Sequence, residues 1–255
     1  MMKISSRYPI EAFALAFVLF TADMKTAMLV GIALVFGDVL SCLLQEATKE
    51  MKINKAIIAQ ISSLIMFGAL MIMLWQSELS WRLVLALAAI CAAQFKHAMD
   101  NIAVDEIAYG DILYADSIAY AAMVVLAILR EYLANAEIFG CKLPEIPLVS
   151  SAFGKPMMAL ILAAITVAIL NRILKTQCQD QAALWVCLPM LVLEMPFVWN
   201  NVPEILGMLV GVIMCGLIYL TMRQKLVFSE TLSHIKGVPV EMTLLGIIYM
   251  VVTIL

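Results

Sequence analysis

The stretch Ala115–Gly140, ADSIAYAAMVVLAILREYLANAEIFG, decides the fold class of this chain. After a polar start it runs through small, aliphatic and aromatic residues and then places Arg130 beside Glu131. Such a run is long enough to cross a hydrocarbon core of about 30 Å as a helix. Arg130 is expected to extend toward the headgroups, and Glu131 to pair locally, where the helix reaches the membrane surface. The stretch therefore predicts a membrane-spanning helix that ends at a charged boundary.

The composition of the whole chain agrees with this interpretation. Of the 255 residues, 64% are hydrophobic and 14% are charged, and the mean hydropathy is +1.01. A soluble domain is about half apolar and a quarter charged. The net charge is −3 and the sequence has no basic run, so no nucleic-acid partner is expected. We predict an all-α integral membrane protein in contact with lipid.

Apolar runs recur along the chain and divide it into candidate spans. There are nine of them, at 9–22, 26–46, 54–76, 81–96, 114–134, 155–175, 183–199, 204–222 and 239–255.

The first, fourth and seventh spans are short or interrupted, whereas the second, fifth and eighth are long and uniform. A repeated unit of three crossings must alternate in orientation, which predicts inverted three-helix repeats. Interrupted helices at equivalent positions point to a buried site. The alternative is that the short runs are tilted or re-entrant spans.

Loop charges give the orientation. With the N-terminus inside, eleven Lys and Arg residues fall in inner loops. Five fall on the outer side: Lys25, Arg82, Arg130, Lys142 and Lys155. We therefore expect a multi-pass protein of the inner (cytoplasmic) membrane with its N-terminus inside.

Two carboxylates lie within apolar runs, Asp38 in the second span and Glu194 in the seventh. Charged groups at bilayer depth usually face a partner or a wet cavity. Both are candidate ion-coupling residues; the alternative is pairing with a neighbouring cation or backbone group. The acidic segment 100–116, which includes Asp116, is predicted to be a solvated face that contacts a basic partner subunit. No catalytic motif is present, and no catalytic residue is assigned.

The segment DSIAYAAMVVLAILREYLANAEIFG resembles the membrane subunits of the Rnf/Nqr family. The resemblance is carried by Asp116, Ala127, Ile128, Arg130, Glu131, Phe139 and Gly140. Three further stretches, at 23–44, 53–66 and 233–250, are similar to other family helices. The resemblance implies a six-helix domain of two inverted halves in residues 1–176. Residues 177–255 would then form an additional three-helix unit.

The resemblance also implies an electron site, a [2Fe–2S] centre or iron shared with a partner subunit through a cysteine in each interrupted helix. Cys91 falls at the second such position, as a metal ligand or as a packing residue. The first position corresponds to Leu15, which cannot ligate iron. Cys42 and Cys215 are candidates to replace it, or are helix-packing cysteines.

Three functions follow. The first is a membrane subunit of an Rnf/Nqr-like complex, where the chain relays electrons or is non-catalytic and helps couple electron transfer to Na⁺ or H⁺ movement. Other membrane subunits of the redox complex are then its partners. The second is a secondary transporter or permease on the same scaffold. The third is a metal-free scaffold subunit.

Overall fold

The computed structural model describes residues 8–48, 109–174 and 237–254, together with isolated positions between 203 and 235. The described part is mostly helical. Its helices are α1 (Tyr8–Leu19), α2 (Met24–Thr48), α3 (Tyr109–Asn135), α4 (Pro156–Leu174) and α5 (Val238–Ile254). A 3₁₀ turn (Ser151–Gly154) and two short antiparallel strands, β1 (Glu137–Ile138) and β2 (Cys141–Lys142), lie between α3 and α4.

These five helices match the predicted spans 9–22, 26–46, 114–134, 155–175 and 239–255 to within five residues at each end. The predicted spans 54–76, 81–96 and 183–199 lie outside the described residues, as does most of 204–222. The all-α prediction is thus confirmed for the described part. The count of nine, the repeat architecture and the boundary at 176 remain predictions.

Helix α1 is the centre of the described bundle. Every side chain from Phe13 to Thr21 is buried, as expected for a helix that is apolar on all sides. It packs against α3 and α4, while α2 packs against α3 and α5 packs against α4. Its 12 residues span about 18 Å at 1.5 Å per residue, and this agrees with the prediction of a short first helix.

Small residues let the helices approach closely, as is common between membrane helices. A methyl group at Gly31 of α2 would lie 2.3 Å from Cδ2 of Tyr120 in α3. One at Gly246 of α5 would lie 2.8 Å from Cγ1 of Ile161 and 3.0 Å from the carbonyl oxygen of Met157, both in α4. Glycine is therefore required at both contacts.

The connection between α3 and α4 contains two residues with positive φ other than glycine. Ala136 (φ 54°) follows the last residue of α3, and its N–H donates to the Tyr132 carbonyl. Phe139 (φ 58°) and Gly140 (φ 77°) form the two-residue turn between β1 and β2, where both central residues of a type I′ turn need positive φ. Helix α3 therefore ends at Asn135, and Ala136 and the turn residues redirect the chain toward α4.

Two segments of the described helices, Leu113–Asn135 and Pro156–Leu174, are long and apolar enough to cross a membrane. Helix α4 exposes Ile165, Ile169 and Ile173, each more than half accessible, on the face away from the bundle. The opposite face of α4 is buried by alanine, valine and leucine. These features support a membrane location.

Candidate ion-coupling site

Helices α2 and α3 pack antiparallel along a seam marked by three contacts. The backbone N–H of Met24 donates to Oε2 of Glu131 at 2.9 Å. Gly31 then meets Tyr120, and further along, Asp38 meets Asp116. Residue numbers rise along α2 as they fall along α3, which fixes the antiparallel direction.

The third contact is a pair of buried carboxyl groups. Asp38 is 3% exposed and Asp116 is 0% exposed, and the two side chains are close enough to interact electrostatically. Two ionised carboxylates that are buried next to each other repel, and burial also disfavours the charge on each of them. A proton or another cation bound to the pair would remove this repulsion. The arrangement therefore favours binding of a proton or another cation at the pair.

The pair lies deep along both helices. Asp38 follows Met24 by 14 residues, and Asp116 precedes Glu131 by 15. At 1.5 Å per residue each carboxyl group is about 21–23 Å from the Met24–Glu131 contact. Since that contact marks one end of α2 and α3, the pair sits well inside the length of the bundle.

Arg130 and Glu131 lie at the other end of the seam and bind different partners. Arg130 is 2% exposed. Its Nη1 donates to Oγ1 of Thr21 at 2.7 Å and to the Val18 carbonyl at 3.3 Å. Its Nε and Nη2 donate to the carbonyls of Phe153 and Gly154 at 3.3 and 3.4 Å. The guanidinium thus joins the end of α1 to the 3₁₀ turn.

The expectation that Arg130 extends toward the headgroups is wrong. Arg130 stays buried because hydrogen-bond acceptors surround it. The last carbonyl groups of a helix have no partner within that helix and can accept from a guanidinium. Val18 is in the last turn of α1, and Phe153 and Gly154 end the 3₁₀ turn. A buried cation bound to these carbonyls is more stable than one left without acceptors.

Glu131 is 6% exposed and accepts two backbone hydrogen bonds. One comes from Met24 at the start of α2, and the other from Phe139 in the hairpin turn, at 3.0 Å. Asp23 caps the same helix, accepting from the N–H and hydroxyl of Thr26. A carboxylate is favourable at a helix N-terminus because free N–H groups meet it there.

The sequence-predicted site residues are only partly covered by the described part. Asp38 lies in α2 and is buried near the carboxyl group of Asp116; its ion-coupling role stays a prediction. Cys42 also lies in α2, whereas Cys91, Glu194 and Cys215 lie outside the described residues. Leu15 is packed in the core.

Asp116 is the residue that the sequence interpretation missed. It was expected on a solvated acidic face, but it is fully buried, so for Asp116 that prediction is wrong. The only sequence feature that could have indicated its burial was the position of Asp116 at the start of an apolar run. Its partner could not be identified without the α2–α3 register.

Within the described ranges, no group of three or more His, Cys, Asp or Glu side chains is arranged to hold a metal ion. Leu15 supplies no thiolate at the first cysteine position that the Rnf/Nqr resemblance implies, so this part of the chain does not fit an iron ligand there. The Asp38–Asp116 pair is the chemical group that the described residues do provide. Comparisons with protein-family models, with curated proteins and with solved structures find no match for this chain.

Proposed function

We propose that this chain is a multi-pass membrane subunit of an Rnf/Nqr-like electron-transport complex and that it helps move H⁺ or Na⁺ across the membrane. The observation that carries the ion-movement part is the Asp38–Asp116 pair between α2 and α3. Buried ionisable groups are expensive inside a membrane and mark ion pathways or proton relays there.

The membrane setting is supported by the outer faces of the helices. Val125 and Leu129 of α3 are about half exposed, as are Ile165, Ile169 and Ile173 of α4. Large aliphatic side chains at successive turns of a helix have no favourable contact in water, whereas lipid tails solvate them. Lipid is therefore the first partner of these faces.

The Asp38–Asp116 pair is suited to ion exchange because binding of one H⁺ or Na⁺ changes the net charge of the pair by one. A group buried in the seam exchanges with solvent only when the seam opens. Opening toward each side in turn would convert binding and release into transport. The Gly31–Tyr120 contact lies between the carboxyl pair and the end of the seam at Met24 and Glu131. Opening of the seam toward that end would have to separate Gly31 from Tyr120.

The experiment compares Asp38→Asn and Asp116→Asn with Glu145→Gln, an exposed carboxylate in the α3–α4 connection. Membrane vesicles that contain the chain with its co-expressed neighbouring subunits are energised with NADH or reduced ferredoxin. A pH-sensitive dye and ²²Na⁺ report ion movement. We expect both Asn variants to lose driven ion movement and the Gln variant to keep it. Unchanged transport in both Asn variants would refute the proposal.

The electron-transfer part rests on the resemblance, and its test is separate. Bound iron and visible absorption are measured in the purified assembly before and after Cys91→Ser. Loss of iron in the variant would support an electron-relay subunit. An intact assembly without iron would leave the transporter and the scaffold as the alternatives.

The second candidate is a secondary transporter that uses the same carboxyl pair without redox chemistry. Leu15 favours it, since a packed leucine stands where the resemblance implies a thiolate. Proteoliposomes with the purified chain alone distinguish the two. Transport driven by an ion gradient and abolished by Asp38→Asn supports the transporter, whereas transport that requires the electron donor supports the complex. A scaffold subunit would show neither gradient-driven transport nor transport that requires the electron donor.

A further inference from the structure

We propose that residues 143–150, in the connection between α3 and α4, form an interfacial anchor whose aliphatic side chains insert into the lipid headgroup layer. This inference goes beyond the proposed function, because it assigns a lipid-binding surface outside the helices. It uses neither the carboxyl pair nor electron transfer. Of the proposed function it needs only the membrane setting of α3 and α4.

The segment reads LPEIPLVS, and Glu145 is its only charged residue. Leu143 and Ile146 are each 39% exposed, and Leu148 is 63% exposed. The described part of the chain thus leaves three large aliphatic side chains partly uncovered within six residues. Exposed apolar clusters of this kind mark surfaces that bind a membrane or another protein.

The segment is held at the level where α3 leaves the membrane. The apolar part of α3, Leu113–Asn135, has 23 residues and is about 34 Å long at 1.5 Å per residue. Its last turn therefore reaches the headgroups of a bilayer whose hydrocarbon core is about 30 Å thick. In that turn the Tyr132 hydroxyl donates to the Pro144 carbonyl at 2.9 Å, and the Leu133 carbonyl accepts from the N–H of Ser150 at 2.8 Å. Both ends of the segment are thus fastened beside the last turn of α3.

The backbone of the segment favours lipid over a partner strand. Pro144 and Pro147 have no N–H, and the N–H groups of Leu143, Val149 and Ser150 donate to backbone carbonyls. Since these five residues offer no free N–H, entry into the headgroup layer leaves few backbone donors without a partner. A protein strand that added to the segment would need a row of free N–H and C=O groups, and the two prolines interrupt that row.

The charges around the segment agree with a phospholipid surface. Lys142 precedes the segment and Lys155 follows it closely, and both are exposed. An amine at this level can reach the lipid phosphates while its methylene groups stay beside apolar surface. Glu145 is also exposed, so its carboxylate stays hydrated in the headgroup layer. Apolar side chains flanked by lysines are typical of segments that lie in the membrane interface.

The test places the environment-sensitive fluorophore NBD on Leu148→Cys in a full-length chain that also carries Cys141→Ser, purified into lipid nanodiscs. Leu148 is the most exposed of the three aliphatic side chains, so its replacement disturbs little packing. We expect a blue-shifted emission, with quenching by a headgroup-region nitroxide lipid several-fold stronger than quenching by iodide in the water.

The matched control is the same fluorophore on the native Cys141, which is exposed in the hairpin and should be quenched mainly by iodide. The chain with Cys141→Ser alone gives the background from the other cysteines.

Equal iodide quenching of the fluorophores on Leu148→Cys and on Cys141 would overturn the inference. An emission that shifts to the blue only when the neighbouring subunits are present would also overturn it, because the segment would then contact a protein. In either case, loss of driven ion movement in Asp38→Asn would still support the proposed function. Conversely, lipid quenching in a chain whose ion movement survives both Asn variants would refute the proposed ion movement and leave the anchor in place.

Discussion

The guanidinium of Arg130, near the end of α3, donates a 2.7 Å hydrogen bond to the hydroxyl of Thr21 between α1 and α2. The Thr21 hydroxyl in turn donates to the Phe17 carbonyl in α1. One buried side chain of α3 thus binds the C-terminal end of the central helix. The same guanidinium reaches the carbonyls of Phe153 and Gly154, so three connected segments depend on it.

Arg130→Lys should therefore destabilise the bundle although it keeps the charge. A lysine ammonium is a single donor centre and cannot reach both groups of carbonyls, whereas a guanidinium presents a planar fork. Leaving buried acceptors unpaired beside a charge costs about 3 kcal/mol, which corresponds to a fall of roughly 6–12 °C in apparent melting temperature. Thermal unfolding of the purified protein in detergent measures it. Arg172→Lys, at an exposed position in the last turn of α4, is the matched control, and equal melting temperatures for the two variants would contradict this account.

Glu131→Gln should loosen the start of α2 and the hairpin together. The carboxylate accepts one N–H at each oxygen, but a glutamine amide offers one acceptor and turns a donor toward the second N–H. The expected loss is about 1–3 kcal/mol. Limited trypsin digestion after Lys25 and Lys142 should accelerate at both sites.

The control is Glu137→Gln, a half-buried carboxylate on the neighbouring strand β1. Its effect should stay within about 0.5 kcal/mol. Accelerated digestion at only one of the two lysines in Glu131→Gln would show that the side chain does not join the two segments.

Gly31→Ala should separate α2 from α3 in the middle of the seam. The new methyl group would lie 2.3–2.4 Å from two ring carbons of Tyr120, so the ring or the helix must move. Such overpacking costs about 1–3 kcal/mol. Gly110→Ala is the control, because a methyl group there meets no atom within 4 Å.

A double variant with Tyr120→Ala removes the ring that the methyl group would strike. The stability loss of the pair should then be smaller than the sum of the single losses. Strict additivity would mean that the two residues do not contact each other.

The helices of the described part were predictable because their signal is local. Each apolar run is long, and the position of its ends follows from the first polar residues. The largest difference is the start of α3, which begins at Tyr109 rather than near 114, since the polar segment that precedes the apolar run also folds as helix. The hairpin was not predicted, because Ala136 and Phe139 are not residues that usually adopt positive φ.

The candidate site was only half predictable. Asp38 stands out because apolar residues flank it on both sides, whereas Asp116 is one of several acidic residues in a polar segment. Its burial depends on the register in which α3 lies against α2, and a single sequence does not contain that information. The same holds for Arg130, because its partners are three backbone carbonyls and the Thr21 hydroxyl, and residue types alone do not identify them.

Labelling of Cys141 tests the orientation of the whole chain. Cys141 is exposed in β2, on the connection that joins the ends of α3 and α4. The loop charges predict that this connection lies on the outer side, together with Lys25. The structure places Lys25 at the same end of the bundle, with its Nζ 5.9 Å from the ring centroid of Phe139.

A membrane-impermeant maleimide applied to intact cells should therefore label the chain, and Cys141→Ser should remove that signal. Inside-out vesicles from the same cells should show no labelling that depends on Cys141. The reverse pattern would place the N-terminus outside and invert the inner and outer assignment of every loop. A free thiol on a short strand is a suitable reporter, because the reagent needs only an accessible sulfur atom and the hairpin presents it away from the helices.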